Sequence, residues 1–180
     1  GRGGPAGEAV AGSGMREGSR PREPDSFRPA GVTDAPELAA IHLHTWKTTD
    51  RDLLSSRYLE GLKSGVVRRA DALATAIASD AFSVWVTERE GQLVGWASFG
   101  RSRDADASTA TGELRAINLL PEFWSQGLGR QLLQRVRHQL LDAGFTEATV
   151  WVIHGNQRAS GLYEAQRSVQ QPDPAITVFE

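Results

Sequence analysis

The sequence predicts a single α/β domain in which helices flank a mixed sheet. The length of 180 residues fits one domain. Phe82–Glu88 and Gln92–Phe99 alternate apolar and polar residues on either side of Glu90-Gly91, which indicates a β-hairpin. From Gly112 to Arg167 the pattern changes to strand, helix, strand and helix, an order that is typical of a mixed sheet.

The segment before the hairpin predicts one strand and three helices. Thr33 or Asp34 precedes an apolar helical pattern that has Pro36 near its first turn, which is a common composition for a helix start. The expected strand is Ser26–Pro29. The first helix begins at Thr33 or Asp34, and the second lies around Ser56–Lys63. The third helix carries the helically spaced apolar residues Val66, Ala70, Leu73, Ala74 and Ile77.

The segment after the hairpin predicts the second half of the sheet. Arg101–Thr111 is polar and is expected to form a loop. Val150-Trp151-Val152-Ile153 is apolar throughout, which predicts a strand that is buried on both faces. The expected strands are Gly112–Leu120 and Phe145–Ile153. Between them we expect a helix that ends near Gly144 and has the apolar stripe Leu128, Leu132, Val136 and Leu140. A helix Asn156–Arg167 and a final hairpin of Ser168–Gln171 and Ala175–Phe179 are expected after the second strand.

The composition excludes several classes of function. A formal net charge of −2 gives no electrostatic support for a general role in nucleic-acid binding. No run approaches the roughly 20 apolar residues of a membrane helix, and the N-terminal stretch has no signal-peptide core, so we expect a cytoplasmic protein without a membrane partner. Gly1–Asp25 is rich in Gly, Pro, Ser and Arg, which predicts a flexible tail before a domain at 26–180.

Cysteine and histidine usage excludes further chemistry. The chain has no cysteine, so it has no disulfide, no thiolate metal site and no cysteine nucleophile. The four histidines do not cluster along the sequence. His42 and His44 stand two residues apart on a predicted helix, where their side chains point in different directions. We therefore expect no metal site.

The most informative motif is a glycine-rich turn between a predicted strand and a predicted helix. Gln126-Gly127-Leu128-Gly129-Arg130 follows the strand, and the helix begins within it. Amide groups at a helix start lack partners inside the helix, and the helix dipole adds positive charge, so this turn can bind a phosphate group. Arg130-Gln131 replaces the Lys-Ser or Lys-Thr pair of a mononucleotide loop, and Leu132 replaces the third glycine of a dinucleotide fingerprint. An ordinary strand–turn–helix connection is the alternative.

Glu113, this glycine turn, Asn156 and Tyr163 occur in an order that resembles the GNAT superfamily of N-acetyltransferases. The resemblance runs from about Ser26 to the C-terminus. It implies a mostly antiparallel central sheet, acetyl-CoA as the cosubstrate, and direct transfer of an acetyl group to a primary amine in a ternary complex. Trp124 stands where the family usually has Gln or Arg. The amine could belong to a small molecule or a peptide, and a homodimer is an open alternative.

The resemblance also implies roles for individual residues. Tyr163 would protonate the departing thiolate, and Glu113 would remove a proton from the amine or order a water chain that does so. The amide of Ile117 would face the thioester carbonyl, and Leu119 would pair with the pantetheine arm. Coenzyme contacts are expected from Ile117, Leu119, Gln126, Gly127, Leu128, Gly129, Arg130 and Asn156, and acceptor contacts from Trp46, Asp50 and Trp96.

Two other functional assignments fit the sequence. Residues i and i+2 share a face of a strand, so Arg115 could pair with Glu113, lower its pKa and weaken it as a base. A non-catalytic acyl-CoA-binding or regulatory domain would then be favoured. An interaction module that binds no nucleotide would fit Trp124 and the altered segment after Tyr163. Tyr163 would then be a packed helix residue.

Overall fold

The computed structural model describes residues 25–49, 56–152, 155–167 and 175–179. Within them six strands form one sheet and lie side by side in chain order. The neighbours from β1 to β4 are antiparallel, and the β4–β5 and β5–β6 pairs are parallel. The expected mixed, mostly antiparallel sheet is confirmed. The strands are β1 (Ser26–Pro29), β2 (Ser83–Arg89), β3 (Gln92–Arg101), β4 (Thr111–Leu119), β5 (Glu147–Trp151) and β6 (Ala175–Phe179).

Five helices flank the sheet within the described residues: α1 (Ala35–Thr49), α2 (Ser56–Ser64), α3 (Val66–Ser79), α4 (Leu128–Asp142) and α5 (Gln157–Arg167). A short 3₁₀ turn, Val32–Asp34, precedes α1, and its Asp34 carboxylate accepts a hydrogen bond from the Gly31 amide at 2.7 Å. Asp34 also pairs with Arg28 of β1 at 2.7 Å. One carboxylate therefore joins the start of the first helix to the first strand.

The predicted hairpin between β2 and β3 is confirmed. Glu90 and Gly91 both have positive φ values, 53° and 77°. This combination belongs to the type I′ turn, whose twist matches that of the two strands it joins. The turn therefore fixes the register of β2 against β3, which form the centre of the first half of the sheet.

Helices α1 and α3 cover one face of the sheet, and α4 covers the other. The two core clusters use alternate residues of β3: Trp96 packs toward α1, and Ala97 and Phe99 pack toward α4. The Trp96 indole nitrogen donates to the Leu38 carbonyl of α1 at 2.9 Å. The predicted stripe of α4 is confirmed, since its buried residues include Leu128, Leu132, Leu133, Val136 and Leu140.

Strands β4 and β5 diverge after Leu114. Their pairing covers only Thr111–Leu114 of β4, although β4 continues to Leu119. Within the described residues, the last part of β4 therefore pairs with β3 alone. The C-terminal end of β4 is therefore open at the edge that β5 leaves unpaired, on the side where α5 lies.

A β-bulge at the same place changes which residues of β4 face each layer. Leu114 lies opposite Phe99, and Ala116 lies opposite Ser98, so Arg115 is the extra residue. A bulge breaks the two-residue alternation of a strand. The faces of β4 on either side of Arg115 therefore cannot be assigned by counting in twos.

One prediction about β5 is wrong. Val150 and Val152 are buried against α4, but Trp151 is 56% exposed, and its indole nitrogen donates to the Asp104 carboxylate at 3.2 Å. The strand is therefore buried on one face only. The physical reason is that α1 packs over β3 and β4 and leaves this face of β5 without a helix in the described part of the chain.

The chain ends are described only in part. Of the predicted final hairpin, Ala175–Phe179 is present as β6, parallel to β5, and Ser168–Gln171 lies outside the described residues. The predicted tail lies outside them up to residue 24, whereas Asp25 pairs with Arg89 of β2 at 2.8 Å and belongs to the folded part. No helix among the described ranges has both the length and the apolar character needed to cross a membrane.

Gly95 of β3 provides a test of the packing behind β4. A Cβ at Gly95 would lie 2.7 Å from the Asn118 carbonyl oxygen, so Gly95→Ala is expected to lower the free energy of unfolding by about 1–3 kcal/mol. A Cβ at Gly100 of the same strand would meet Phe82 at 3.4 Å, so Gly100→Ala is the matched control and should change stability little. Urea unfolding measures both, and equal losses would contradict the packing assigned to Gly95.

Candidate functional site

The glycine turn forms the N-terminus of α4, as the sequence predicts. Gly127 precedes the helix with a φ of 84°, a left-handed conformation that favours glycine, and its carbonyl accepts from the Gln131 amide at 3.0 Å. Ser125, just before it, has a φ of 59° although it is not a glycine. Within the described part of the chain, the N-cap residue Gly127 makes no side-chain hydrogen bond to the first turn of α4. The first amides of α4 therefore point into the space beyond the turn with no intrahelical acceptor.

A cavity of about 350 Å³ lies between this turn, the diverging end of β4 and the start of α5. It brings together most of the residues that the sequence assigned to the coenzyme. Its walls include Ile117 and Leu119 of β4, Gly127, Gly129 and Arg130 of the turn, and Asn156 before α5. Ile117 and Asn156, which are 39 positions apart in the sequence, thus meet at one helix N-terminus.

Two residues assigned to the coenzyme have side chains that are engaged elsewhere. Leu128 is fully buried and packs with Val94 and Leu119. The Gln126 amide nitrogen donates to the Glu122 carbonyl at 2.8 Å. Any contribution of Leu128 to an anion in the cavity therefore has to come from its backbone amide.

Asn156, where the sequence predicts the last helix to begin, caps that helix. Its side-chain oxygen accepts a hydrogen bond from the Ala159 amide at 3.1 Å, and its carbonyl accepts from the Ser160 amide at 3.1 Å. These are the contacts of a helix N-cap. Because Asn156 also lines the cavity, the cap places the start of α5 opposite the start of α4.

Trp124 forms one wall of the cavity. Its indole nitrogen donates to the Leu119 carbonyl at 2.7 Å, and the Thr45 hydroxyl is 3.3 Å from the same oxygen. The Arg158 guanidinium lies 4.0 Å from the centre of the Trp124 ring, which is a cation–π contact. The carbonyl of Leu119 thus already has donors, and a cation from α5 lies over the side chain that replaces the usual Gln or Arg.

Glu113 is held by an unexpected partner. It is 2% exposed, and it accepts from the Arg103 amide at 3.0 Å and from the Arg103 guanidinium, with a shortest contact of 2.5 Å. These bonds outweigh the opposing effect of burial and hold its pKa below the usual range. A low pKa makes a carboxylate a weaker base, and this geometry favours the alternative in which water takes the proton; a catalytic role of Glu113 stays a prediction.

The predicted ion pair between Arg115 and Glu113 is absent from the described structure. The Arg115 guanidinium lies 4.7 Å from the Phe82 ring centre and donates to the Arg101 carbonyl at 3.1 Å. The physical reason is the bulge, because Arg115 is its extra residue and the i, i+2 rule fails there. No sequence pattern indicated Arg103, which lies in the polar loop before β4.

Tyr163 is buried in the core beside the cavity. It is 4% exposed and packs in the α4 cluster, while its neighbours Ala159 and Leu162 line the cavity. Burial raises its pKa well above the ordinary value of a phenol. Tyr163 therefore remains protonated at physiological pH, which is the form that a proton donor needs. Its role as an acid stays a prediction.

An aromatic cluster lies on the other side of β4, on the surface of α1. The His42 ring centre is 5.2 Å from that of Trp46 and 6.3 Å from that of Trp96, and Trp46 is 6.1 Å from Tyr58 of α2. Trp96 is only 2% exposed, so it supports this cluster from within the core. Asp50, the third predicted acceptor contact, lies outside the described residues.

His42 and Asn118 form a buried pair that the sequence did not predict. The His42 Nδ1 lies 3.2 Å from the Asn118 side-chain oxygen, across 76 positions of sequence. Burial, with a smaller contribution from the charge of Arg69, lowers the pKa of His42 to about 4, so the imidazole is neutral at pH 7. The Asn118 amide nitrogen is buried and has no hydrogen-bond partner among the described residues.

Comparison with known proteins decides the family. Residues 35–167 match the Acetyltransferase (GNAT) family. The chain belongs to this family. It is therefore an acyltransferase by descent, and the resemblance seen in the glycine turn, Asn156 and Tyr163 is confirmed at the level of the family.

Individual relatives agree with the GNAT assignment. The chain is 33% identical over 131 residues to the uncharacterized N-acetyltransferase YuaI of Bacillus subtilis (strain 168). The matched region covers 73% of each of the two chains. It is 25% identical over 138 residues to the probable N-acetyltransferase Rv2775 of Mycobacterium tuberculosis, covering 77% of this chain and 76% of the relative. Its fold is similar to that of PaiA N-acetyltransferase from Thermoplasma acidophilum in complex with coenzyme A, with a TM-score of 0.69, 17% identity, and coverage of 84% of this chain and 96% of that chain.

The ion pair of Glu113 predicts a pH-dependent stability. Because folding lowers the pKa of Glu113, the pair stabilises the protein above about pH 4.3, the usual value of a free glutamate, and this stabilisation is lost as the pH falls through the lower folded value. Glu113→Gln should therefore lower the free energy of unfolding at pH 7 by about 1–3 kcal/mol.

Urea unfolding between pH 7 and pH 3 measures this effect. The difference between Glu113→Gln and the parent should shrink below about pH 4.3. Glu122→Gln, an exposed carboxylate, is the matched control and should change stability little at pH 7. A difference for Glu113→Gln that stays constant across the range would contradict the assignment.

Proposed function

We propose that this protein is an N-acetyltransferase that moves an acetyl group from acetyl-CoA to a primary amine by direct attack in a ternary complex. One observation carries the proposal: the uncapped N-terminus of α4 opens on a cavity that is shared with the diverging end of β4. The first feature can hold a pyrophosphate, and the second can hold the pantetheine arm and the thioester. Membership of the GNAT family supports the same reaction.

The turn and α5 together give the cavity the charge that a phosphate requires. Backbone amides at the start of α4 and the helix dipole favour an anion at Gly127–Arg130. The side chains of Arg130 and Arg158 line the same cavity and add two positive charges. Arg158 is positioned by the ring of Trp124. This arrangement supports coenzyme binding although the first position of the turn departs from the family pattern.

The chemical step then needs three contributions from the chain. As the carbon–nitrogen bond forms and the carbon–sulfur bond breaks, the Ile117 amide donates to the carbonyl oxygen. Tyr163 donates its proton to the departing thiolate and regains one from solvent. The proton that the amine loses passes to water, because Glu113 is occupied by Arg103. Each residue thus has one role and the proton count balances.

Turnover with a panel of amines tests this function. Acetyl-CoA is mixed with primary amines that differ in charge and length, and release of the thiol is followed with time. We expect release that depends on both enzyme and amine, together with an acetylated product detected by mass spectrometry. Thiol release without any acetylated amine would contradict the proposal, because it would indicate hydrolysis.

A second candidate function is a non-catalytic acyl-CoA-binding domain. The observation that favours it is the Arg103–Glu113 pair, which removes the predicted base. This candidate predicts saturable acetyl-CoA binding in calorimetry and no transfer to any amine. Binding and turnover therefore separate the two functions.

Two other expectations from the sequence remain predictions. A homodimer is one, and light scattering of the purified protein measures it directly. The other is a cytoplasmic location, which fractionation of cells that contain the protein would test. Neither bears on the chemistry proposed for the cavity.

Gly129 tests the pyrophosphate site. A Cβ at Gly129 would contact Leu162 and Leu119 at 3.8 and 3.9 Å, so an alanine fits, whereas a glutamate would fill and charge the cavity. We expect Gly129→Glu to abolish acetyl-CoA binding in calorimetry, and Gly129→Ala, the matched control, to retain it within about threefold. Unchanged affinity in the glutamate variant would remove the pyrophosphate from this turn.

Tyr163 tests the chemical step. Tyr163→Phe removes only the hydroxyl, so it should lower kcat by at least about tenfold and change the acetyl-CoA affinity little. Because burial raises the pKa of Tyr163, the rate of the parent should show no loss from its ionisation below about pH 10. Steady-state kinetics and calorimetry measure the two quantities. A kcat equal to that of the parent would show that Tyr163 is a packing residue.

A further inference from the structure

A second cavity, of about 740 Å³, lies on the surface formed by α2 and α3. Its lining includes three arginines, Arg57, Arg68 and Arg69, together with Tyr58. Arg57 and Arg68 are exposed, Arg69 is half-buried, and no carboxylate of the described residues forms an ion pair with any of the three. In a chain of net charge −2 this is a local concentration of positive charge. A concave surface lined by one sign of charge attracts the opposite ion.

The arginine cavity is connected to β4 by the aromatic cluster. Tyr58, which lines the cavity, is 6.1 Å from Trp46, and Trp46 is 5.2 Å from His42. His42 contacts Asn118 at 3.2 Å. Asn118 lies between Ile117 and Leu119, whose side chains line the coenzyme cavity. The rings therefore form a continuous wall from the arginines to the strand on which acyl transfer is proposed.

The inner end of this wall has the properties that an amine nucleophile needs. The Asn118 amide nitrogen is buried without a partner among the described residues, so it can donate a hydrogen bond to a carbonyl oxygen beside the incoming amine and leave the lone pair of the amine free to attack. Burial and the charge of Arg69 together keep His42 neutral. The same surroundings disfavour the charged form of a bound amine and favour the neutral form that can attack. The outer end, by contrast, favours an anion.

We propose that the acceptor is a primary amine that also carries a carboxylate or phosphate group, which Arg57, Arg68 and Arg69 bind while the amine lies at the His42–Asn118 end. This inference rests on the function proposed above and adds the class of its acceptor. Guanidinium groups match both anions because their N–H groups form a planar fork. The Tyr58 and His42 ring centres lie 6.1 and 5.2 Å from that of Trp46, so these two outer rings are at most about 11 Å apart, a span on the order of three residues of an extended chain.

Short peptides provide the probe. Alanine and its di-, tri- and tetrapeptides, each as the free acid and as the C-terminal amide, are offered to the enzyme with saturating acetyl-CoA. We expect kcat/KM to be greatest near the tripeptide acid and at least tenfold greater for that acid than for its amide. An aminoalkylphosphonate of similar length distinguishes a phosphate site from a carboxylate site by its kcat/KM relative to the tripeptide acid.

Charge reversal locates the anion site. Arg68→Glu should reduce the acid-to-amide ratio of kcat/KM to about one, mainly by raising KM for the acid, while the acetyl-CoA affinity stays within about twofold of the parent. Arg135→Glu, on α4 at the other face of the sheet, is the matched control and should keep the parent ratio. Arg57→Glu repeats the test if Arg68→Glu does not fold.

The outcomes separate this inference from the proposed function. Equal transfer to acids and amides, or a preference for amides, would overturn the anionic acceptor and leave N-acetyl transfer intact. A ratio that Arg57→Glu and Arg68→Glu both leave unchanged would also overturn it. Binding of acetyl-CoA without transfer to any amine, including the neutral and cationic members of the panel described above, would overturn the function and the inference together.

Discussion

The separation of β4 from β5 after Leu114 is the constraint on which the rest of the site depends. Pairing ends at Leu114, and the bulge at Arg115 follows immediately. After this point β4 presents Ile117 and Leu119 to the cavity beside α5, and it presents Asn118 to His42 of α1. One irregularity in one strand therefore creates both sides of the site. A continuous parallel ladder would have closed the cavity and filled it with backbone hydrogen bonds.

The charges of the site are distributed unevenly, and this affects how a proton could leave an amine. The buried carboxylate of β4, Glu113, is neutralised by Arg103. Both cavities are lined by arginines, and the neutral His42 lies between them. An amine in such surroundings loses its proton more readily than in water, because burial and nearby positive charge both oppose its charged form. The field of the site then does part of the work that a dedicated base would do.

The sequence predicted the parts of the molecule that depend on local chemistry. The turn at Gly127, the helix start at Asn156 and the hairpin at Glu90-Gly91 each follow from residues within a few positions of one another, and the structure has all three. The contacts that it did not predict are long-range. Arg103 reaches Glu113 from an irregular loop, and His42 reaches Asn118 across 76 positions. Counting in twos failed at the bulge, where one extra residue changes the face of every residue that follows.

Trp124 shows how a departure from a family pattern can be compensated at a distance. Its indole nitrogen ties the turn to the Leu119 carbonyl, at the end of β4. The face of the same ring holds the Arg158 guanidinium at 4.0 Å. The resemblance implies Gln or Arg at this position of the turn, and a guanidinium is present over it, but this guanidinium comes from α5. Because an aromatic ring binds a guanidinium without neutralising it, the positive charge remains available to the cavity. The positive charge over this wall of the cavity therefore comes from Arg158 of α5 and not from position 124 of the turn.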